Sequence, residues 1–171
     1  MILAVDVGYR NDGAKAAGVI FETWESETLV AEYTLHIDAV ADYIPGKFFQ
    51  RELPCLTALV KQMTYPITCI VVDGYVYLGL EKRPGLGKHL WEEFNGAIAV
   101  IGVAKSSFKD TPNNTELVRG RGKKPLYITA EGIDLEVAKK NIINMKGNQR
   151  IPTFLKYVDT LSRTEQGKKG S

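Results

Sequence analysis

Two aspartates stand where an acid is unfavourable unless it has work to do. Asp6 lies inside the apolar run Ile2-Leu3-Ala4-Val5-Asp6-Val7, and Asp73 closes a second run, Cys69-Ile70-Val71-Val72-Asp73, with Gly74 directly after it. A carboxylate in a sheet core is costly unless it is paired or holds a cation, and ligands of open α/β sheets gather at strand ends. Oxygen donors in such a place suit Mg²⁺ or Mn²⁺, and the sequence has no Cys/His cluster of the kind zinc takes. Either aspartate alone reads more readily as a turn cap than as a ligand. Two of them, at the ends of strands expected to be neighbours, make cation binding competitive with capping. A third signal is the segment Tyr43-Ile44-Pro45-Gly46-Lys47-Phe48-Phe49-Gln50-Arg51-Glu52. Pro45-Gly46 is a turn signal, Tyr43 at its edge could stack on a nucleobase or simply pack the turn, and Glu52 is electrostatically favoured at a helix start. The strongest cluster of charge is Arg119-Gly120-Arg121-Gly122-Lys123-Lys124. Such a run is either a solvated loop or, with Lys82, Arg83 and Lys88, a basic face for a phosphate backbone.

The elements that must position these residues follow from periodicity. Residues 2–8, 15–22 and 28–37 are rich in β-branched and aromatic residues with short polar breaks, the spacing of an antiparallel meander. Residues 49–63 carry the helical stripe Leu53, Leu56, Leu59, Val60 and Met63, with Pro54 expected in the first turn. Residues 67–73 form a continuously apolar strand, as in a sheet covered on both faces. A loop over 79–88 then leads to a helix through 89–94, strands over 97–104 and 125–129, and helices over 134–146 and 152–165. Trp24 and Trp91 read as packing residues. A meander followed by alternating strands and helices predicts one α/β domain with a mixed sheet over residues 1–165, and a polar tail over 166–171.

Composition agrees with that architecture and narrows the function classes. The chain has 171 residues, 44% hydrophobic and 25% charged, enough for one domain with a core and too few for two ordinary ones. Net charge is +2 from 22 basic and 20 acidic residues, so charge distribution rather than its sum must identify a partner. Two cysteines, Cys55 and Cys69, cannot build a disulfide framework and read as reduced core thiols of a cytoplasmic protein. No apolar stretch is long enough to span a membrane, and the N-terminus lacks the features of a signal peptide.

Taken in order, the motifs resemble those of the endonuclease V family, metal-dependent nucleases that cut near deaminated adenine, that is, inosine. Val5-Asp6-Val7 is similar to the family's first acidic strand. Tyr43-Ile44-Pro45-Gly46 with Arg51-Glu52 matches its Tyr-x-Pro-Gly…Arg-Glu motif, spacing included, and Val72-Asp73-Gly74 its second aspartate strand. His89 falls where the family has a histidine after a glycine-rich stretch. Gly102-Val103-Ala104-Lys105-Ser106, Pro125-Leu126-Tyr127-Ile128 and Arg150-Ile151-Pro152 follow collinearly. The resemblance implies a ribonuclease H-like fold, with Asp6, Glu52 and Asp73 on a divalent metal and Lys105 on a phosphate or the attacking water. It makes Tyr43, Pro45 and Gly46 a wedge beside the lesion and puts Gly74 and His89 among the nucleic-acid contacts, to which the charge clusters add Arg83, Arg119, Arg121 and Lys123 as expected phosphate contacts. The implied reaction is Mg²⁺-dependent (or Mn²⁺-dependent) hydrolysis of a phosphodiester near deoxyinosine or inosine in DNA or RNA, in DNA repair or inosine-RNA cleavage, by a monomer.

Two departures qualify the match. The stretch Tyr75–Arg83 lacks the family's His-Pro-Arg and carries one extra residue. After the strand at 125–129 the family has Gly-His, with the histidine close to the metal, where this chain reads Ala130-Glu131-Gly132. Glu131 is therefore expected to take that place at the metal, since a carboxylate ligates Mg²⁺ well. The alternative is a catalytically weak relative that binds altered or branched nucleic acid, motivated by the missing histidines and opposed by the three retained carboxylates.

Overall fold

The computed structural model describes residues 1–10, 13–38 and 49–164. In chain order the strands and helices are β1 (Ile2–Arg10), β2 (Gly13–Phe21), β3 (Ala31–Ile37), α1 (Phe49–Lys61), β4 (Cys69–Asp73), β5 (Tyr77–Leu78) and β6 (Arg83–Pro84). There follow α2 (Leu86–Glu93), β7 (Ala99–Ala104), β8 (Glu116–Leu117), β9 (Leu126–Glu131), α3 (Leu135–Asn144) and α4 (Thr153–Arg163). Seven strands form one sheet in the order β3-β2-β1-β4-β7-β9-β8, and β5 and β6 form a separate hairpin.

The first three strands pair antiparallel, as their turn spacing predicts. β4 then joins β1 in parallel and β7 joins β4 in parallel, whereas β9 returns antiparallel to β7. Side chains alternate faces along each strand, so the sheet has two cores. On one face Leu3, Val5, Ile70, Val72 and Val100 pack under Leu56 and Leu59 of α1 and Leu86 and Leu90 of α2. On the other, Ala4, Val71, Val103 and Ile128 pack under Ala138 and Ile142 of α3 and Phe154, Val158 and Leu161 of α4. Double cover explains the uninterrupted apolar runs of β4 and β7.

The structure departs from the sequence expectation in three places. Pro54 is not in the first turn of α1 but at its sixth residue, where its missing N–H deprives the Gln50 carbonyl of a helical partner. The segment read as a loop over 79–88 contains β6, which pairs with β5 just before it, and the start of α2, elements too short to leave a periodic signal. β8 is a two-residue edge strand with the same excuse. Cys55 and Cys69 are buried, free thiols, and no described helix is long and apolar enough to cross a membrane.

Candidate metal centre and cleft

Strand register brings the two aspartates together. Ile2 to Val5 of β1 align with Cys69 to Val72 of β4, so the next residues, Asp6 and Asp73, sit side by side. Asp73 ends its strand as expected, but Asp6 is mid-strand, because β1 runs on to Arg10 beside β2. Alternation turns both towards the α4 face, since Ala4 and Val71 two positions earlier belong to that core. Asp159 of α4 meets them there. One carboxylate oxygen from each of Asp6, Asp73 and Asp159 lies within 4.8 Å of the others. Lys105, just past the end of β7, places Nζ 3.1 Å from Asp73 Oδ2.

Close packing sets the third acid. A Cβ on Gly8 would stand 2.3 Å from the Ser162 carbonyl oxygen, so only glycine lets the end of α4 lie directly on β1. The helix terminus is fastened as well, because the Thr164 carbonyl accepts from Lys15 Nζ at 2.8 Å and from the Arg10 guanidinium. Cations at a helix C-terminus are favourable there. A second close approach lies under Asp73. A Cβ on Gly102 would be 2.6 Å from the Gly74 carbonyl oxygen, which explains the glycine of the Gly-Val-Ala-Lys motif.

Crowding of acids shows in their proton affinities. Burial first, then the charge of Asp73 and a hydrogen bond with Asp159, push the Asp6 carboxyl up to about 8. Burial also acts upward on Asp159, but hydrogen bonds from Asp6 and Arg163 outweigh it and hold that group below the usual carboxylate range. Glu52 reaches the same cleft from α1, on the opposite face of the sheet. Burial, then Asp73, push it up to about 7, opposed by the neighbouring Tyr9 hydroxyl. The Tyr9 ring lies under the Arg51 guanidinium at 3.6 Å. All four acids line one open cleft of about 630 Å³ with Gly74, Tyr75, Lys105, Ser106, Phe108 and Arg163. An all-oxygen donor set in which burial and neighbouring acids make Asp6 and Glu52 hold their protons fits a hard divalent cation such as Mg²⁺ or Mn²⁺.

Glu131 is a correction. It pairs with Val100, whereas Asp73 aligns with Val103, which in turn faces Ile128. Three residues of strand, about 10 Å at 3.3 Å each, separate it from the site end. It also alternates to the α2 face, where its carboxylate accepts from Tyr77 Oη at 2.5 Å and Lys88 Nζ at 3.3 Å. Asp159, not Glu131, is the further acid that meets Asp6 and Asp73. The helix bearing Asp159 was legible, and the neighbouring buried Val158 marks the acid as beside the helix's packed seam, but nothing in the chain singled it out from other helical acids.

Arg119 is the second correction. It is 5% exposed, and its guanidinium donates to the carbonyls of Ile142, Met145, Gly147 and Gln149. It therefore closes the C-terminal end of α3 rather than meeting a phosphate. Arg121 and Lys123 are exposed in the same loop, whose end is tied to the cleft because Arg150 bonds the carbonyls of Lys124, Pro125 and Lys105. Arg83 is exposed on β6 with its guanidinium 5.5 Å from the centroid of the Phe108 ring, on the cleft rim. His89 lies on α2, away from the cleft lining as described. Tyr43, Pro45 and Gly46 lie outside the described residues.

Comparison with known proteins gives a consistent result. The family model for endonuclease V matches residues 1–141. The endonuclease V of Pyrococcus horikoshii is 30% identical over 163 residues, 95% of this chain and 72% of that protein. The crystal structure of endonuclease V from Streptomyces avermitilis aligns with a TM-score of 0.77 at 27% identity, covering 99% of this chain and 82% of the other. Endonuclease V of Ciona intestinalis, solved with a 24mer DNA containing an inosine followed by a ribo-adenosine, also gives 0.77, covering 98% and 86%. At 21% identity that second alignment shows the fold alone, which is ribonuclease H-like.

Proposed function

From the membership of this chain in the endonuclease V family, we propose that it is a divalent-metal-dependent endonuclease that hydrolyses a phosphodiester near inosine or deoxyinosine. The observation that carries this reading is the meeting of Asp6, Asp73 and Asp159 within 4.8 Å beside Lys105. Asp6, Asp73 and Asp159 would hold Mg²⁺ or Mn²⁺, with Glu52 facing them across the cleft. When bound, such an ion polarises a phosphoryl oxygen and lowers the pKa of a coordinated water. Lys105 carries positive charge at the site and would contact the scissile phosphate. Tyr43, Pro45 and Gly46 would wedge the strand open, since a damaged base is the cheapest to unstack. Arg83, Arg121 and Lys123 would follow the backbone. DNA repair or inosine-RNA cleavage, by a monomer in the cytoplasm, is the setting that the reduced buried thiols Cys55 and Cys69 suit.

The reading of a weak binder rested on the missing histidines. Asp159 adds a further carboxylate beside Asp6 and Asp73, which favours catalysis over binding alone. The decisive experiment incubates labelled inosine-containing and matched control strands, DNA and RNA, with Mg²⁺, Mn²⁺ or EDTA. Cleavage confined to the inosine strands and abolished by EDTA is the expected result. Equal cleavage of control strands, or cleavage in EDTA, would overturn the proposal.

A further inference from the structure

The exposed edge of the carboxylate cluster is already occupied by cations belonging to the chain. Lys105 sits on Asp73. Arg163 forks onto Asp159, with Nε to Oδ1 at 3.1 Å and Nη2 to Oδ1 and Oδ2 at 2.8 and 2.7 Å. The two members of this pair are unequal. The Asp159 side chain is 22% exposed and the Arg163 side chain 69% exposed, so the acid is set in the packing and the base lies in solvent. The backbone beneath Arg163 is held, because Arg10 and Lys15 both bond the next carbonyl, that of Thr164. A tethered, solvent-exposed guanidinium therefore lines the cleft together with Lys105, Ser106 and Ser107.

An ion pair this exposed is weak, and a divalent cation that took the Asp159 carboxylate would displace a monovalent guanidinium from it. The freed fork geometry matches a phosphate as well as it matches a carboxylate. We propose that Arg163 is a displaceable counter-ion, which covers Asp159 until a divalent cation binds and then turns to a phosphate of the nucleic acid in the cleft. The second half rests on the nuclease reading above; the first does not. Removing the arginine should then move two affinities in opposite directions. A purely structural arginine would move both the same way, or neither.

The experiment uses the full chain and the substitutions Arg163→Gln and Arg163→Lys, with folding checked by thermal melting. Calorimetric titration of Mn²⁺ without nucleic acid should show Arg163→Gln binding about threefold more tightly than wild type, the scale of a lost weak competitor. Fluorescence anisotropy of an inosine-containing oligonucleotide in Ca²⁺ should show it binding about tenfold more weakly, with the slope of log affinity against log salt reduced by about one contact. Arg163→Lys keeps the charge without the fork and should fall between the two. Unchanged or weaker Mn²⁺ binding by a folded Arg163→Gln overturns the competition. Unchanged oligonucleotide affinity and salt slope overturn the phosphate contact. Wild-type protein that binds neither inosine-bearing nor control strands overturns the nuclease reading and the second half together, while the Mn²⁺ titration still decides the first.

Discussion

Asp6 is the residue on which the ion-free site is most strained. Its carboxyl sits at about 8 and that of Glu52 at about 7, so each keeps a proton that the unfolded chain has released. Their contribution is neutral below about pH 4, where both states are protonated, and becomes increasingly destabilising as pH rises to those values. Cation binding must expel these protons. Mn²⁺ titrated at pH 6.5 into buffers of different ionisation heat should therefore give different apparent enthalpies, and equal enthalpies would contradict the assignment. Asp6→Asn should remove most of the proton release, raise the ion-free melting temperature at pH 8, and abolish cleavage. Glu131 makes the opposite case at the same scale. Glu131→Gln should leave the Mn²⁺ isotherm unchanged and cost about 1 kcal/mol of stability, because it weakens charge-assisted bonds to Tyr77 and Lys88 that are partly screened by solvent. A weakened isotherm would return Glu131 to the metal.

At the scale of elements, the site is a meeting of the middle of β1, the ends of β4 and β7, and one helix. β1 and β4 deliver Asp6 and Asp73 by parallel register, and β7 delivers Lys105 one residue past its end. The placing of α4 requires special packing, because its last turn touches the backbone of β1 at Gly8. Gly8→Ala must push the Ser162 carbonyl away and draw Asp159 back from Asp6. The expected result is a loss of about 1–3 kcal/mol of stability, typical of overpacking against backbone, together with weaker Mn²⁺ binding. Thermal melting with and without Mn²⁺ measures both. A variant that is destabilised but binds the ion as wild type does would show that α4 does not position the third acid.

Across the whole molecule, positive charge divides into a structural part and a surface part that composition cannot separate. Arg119 holds the end of α3 through buried bonds to carbonyls, while Arg121 and Lys123 in the same loop face solvent. Arg119→Lys should cost about 3 kcal/mol, because a lysine cannot satisfy those carbonyls and leaves buried acceptors unpaired. The double substitution Arg121→Ala/Lys123→Ala should leave the melting temperature within a degree or so, since exposed charges contribute little. It should weaken oligonucleotide binding and lower the salt slope by about two. Denaturant melts and binding at two salt concentrations test both halves, and a double variant with wild-type salt slope would remove the loop from the nucleic-acid face.

The sequence by itself determined the six long strands and the four helices among the described residues, and the acids of β1 and β4. Apolar runs covered on both faces announce a buried parallel centre, and two aspartates in neighbouring runs of that kind make a cation site competitive with turn caps. The collinear motifs from Asp6 to Arg150 likewise identified the family, because they are local in the chain. What only the tertiary structure decided are relations between distant segments. Asp159 and Glu131 are both acids near the ends of regular elements, and no local pattern tells them apart. Register and alternation do so, sending Glu131 to the far end and opposite face of β9 while the close approach at Gly8 brings Asp159 onto Asp6. Arg119 and Arg121 stand two residues apart in one basic run, yet one is sunk among carbonyls and the other is in water. Burial of that kind depends on where the end of α3 comes to rest against the loop, a contact between residues more than twenty positions apart.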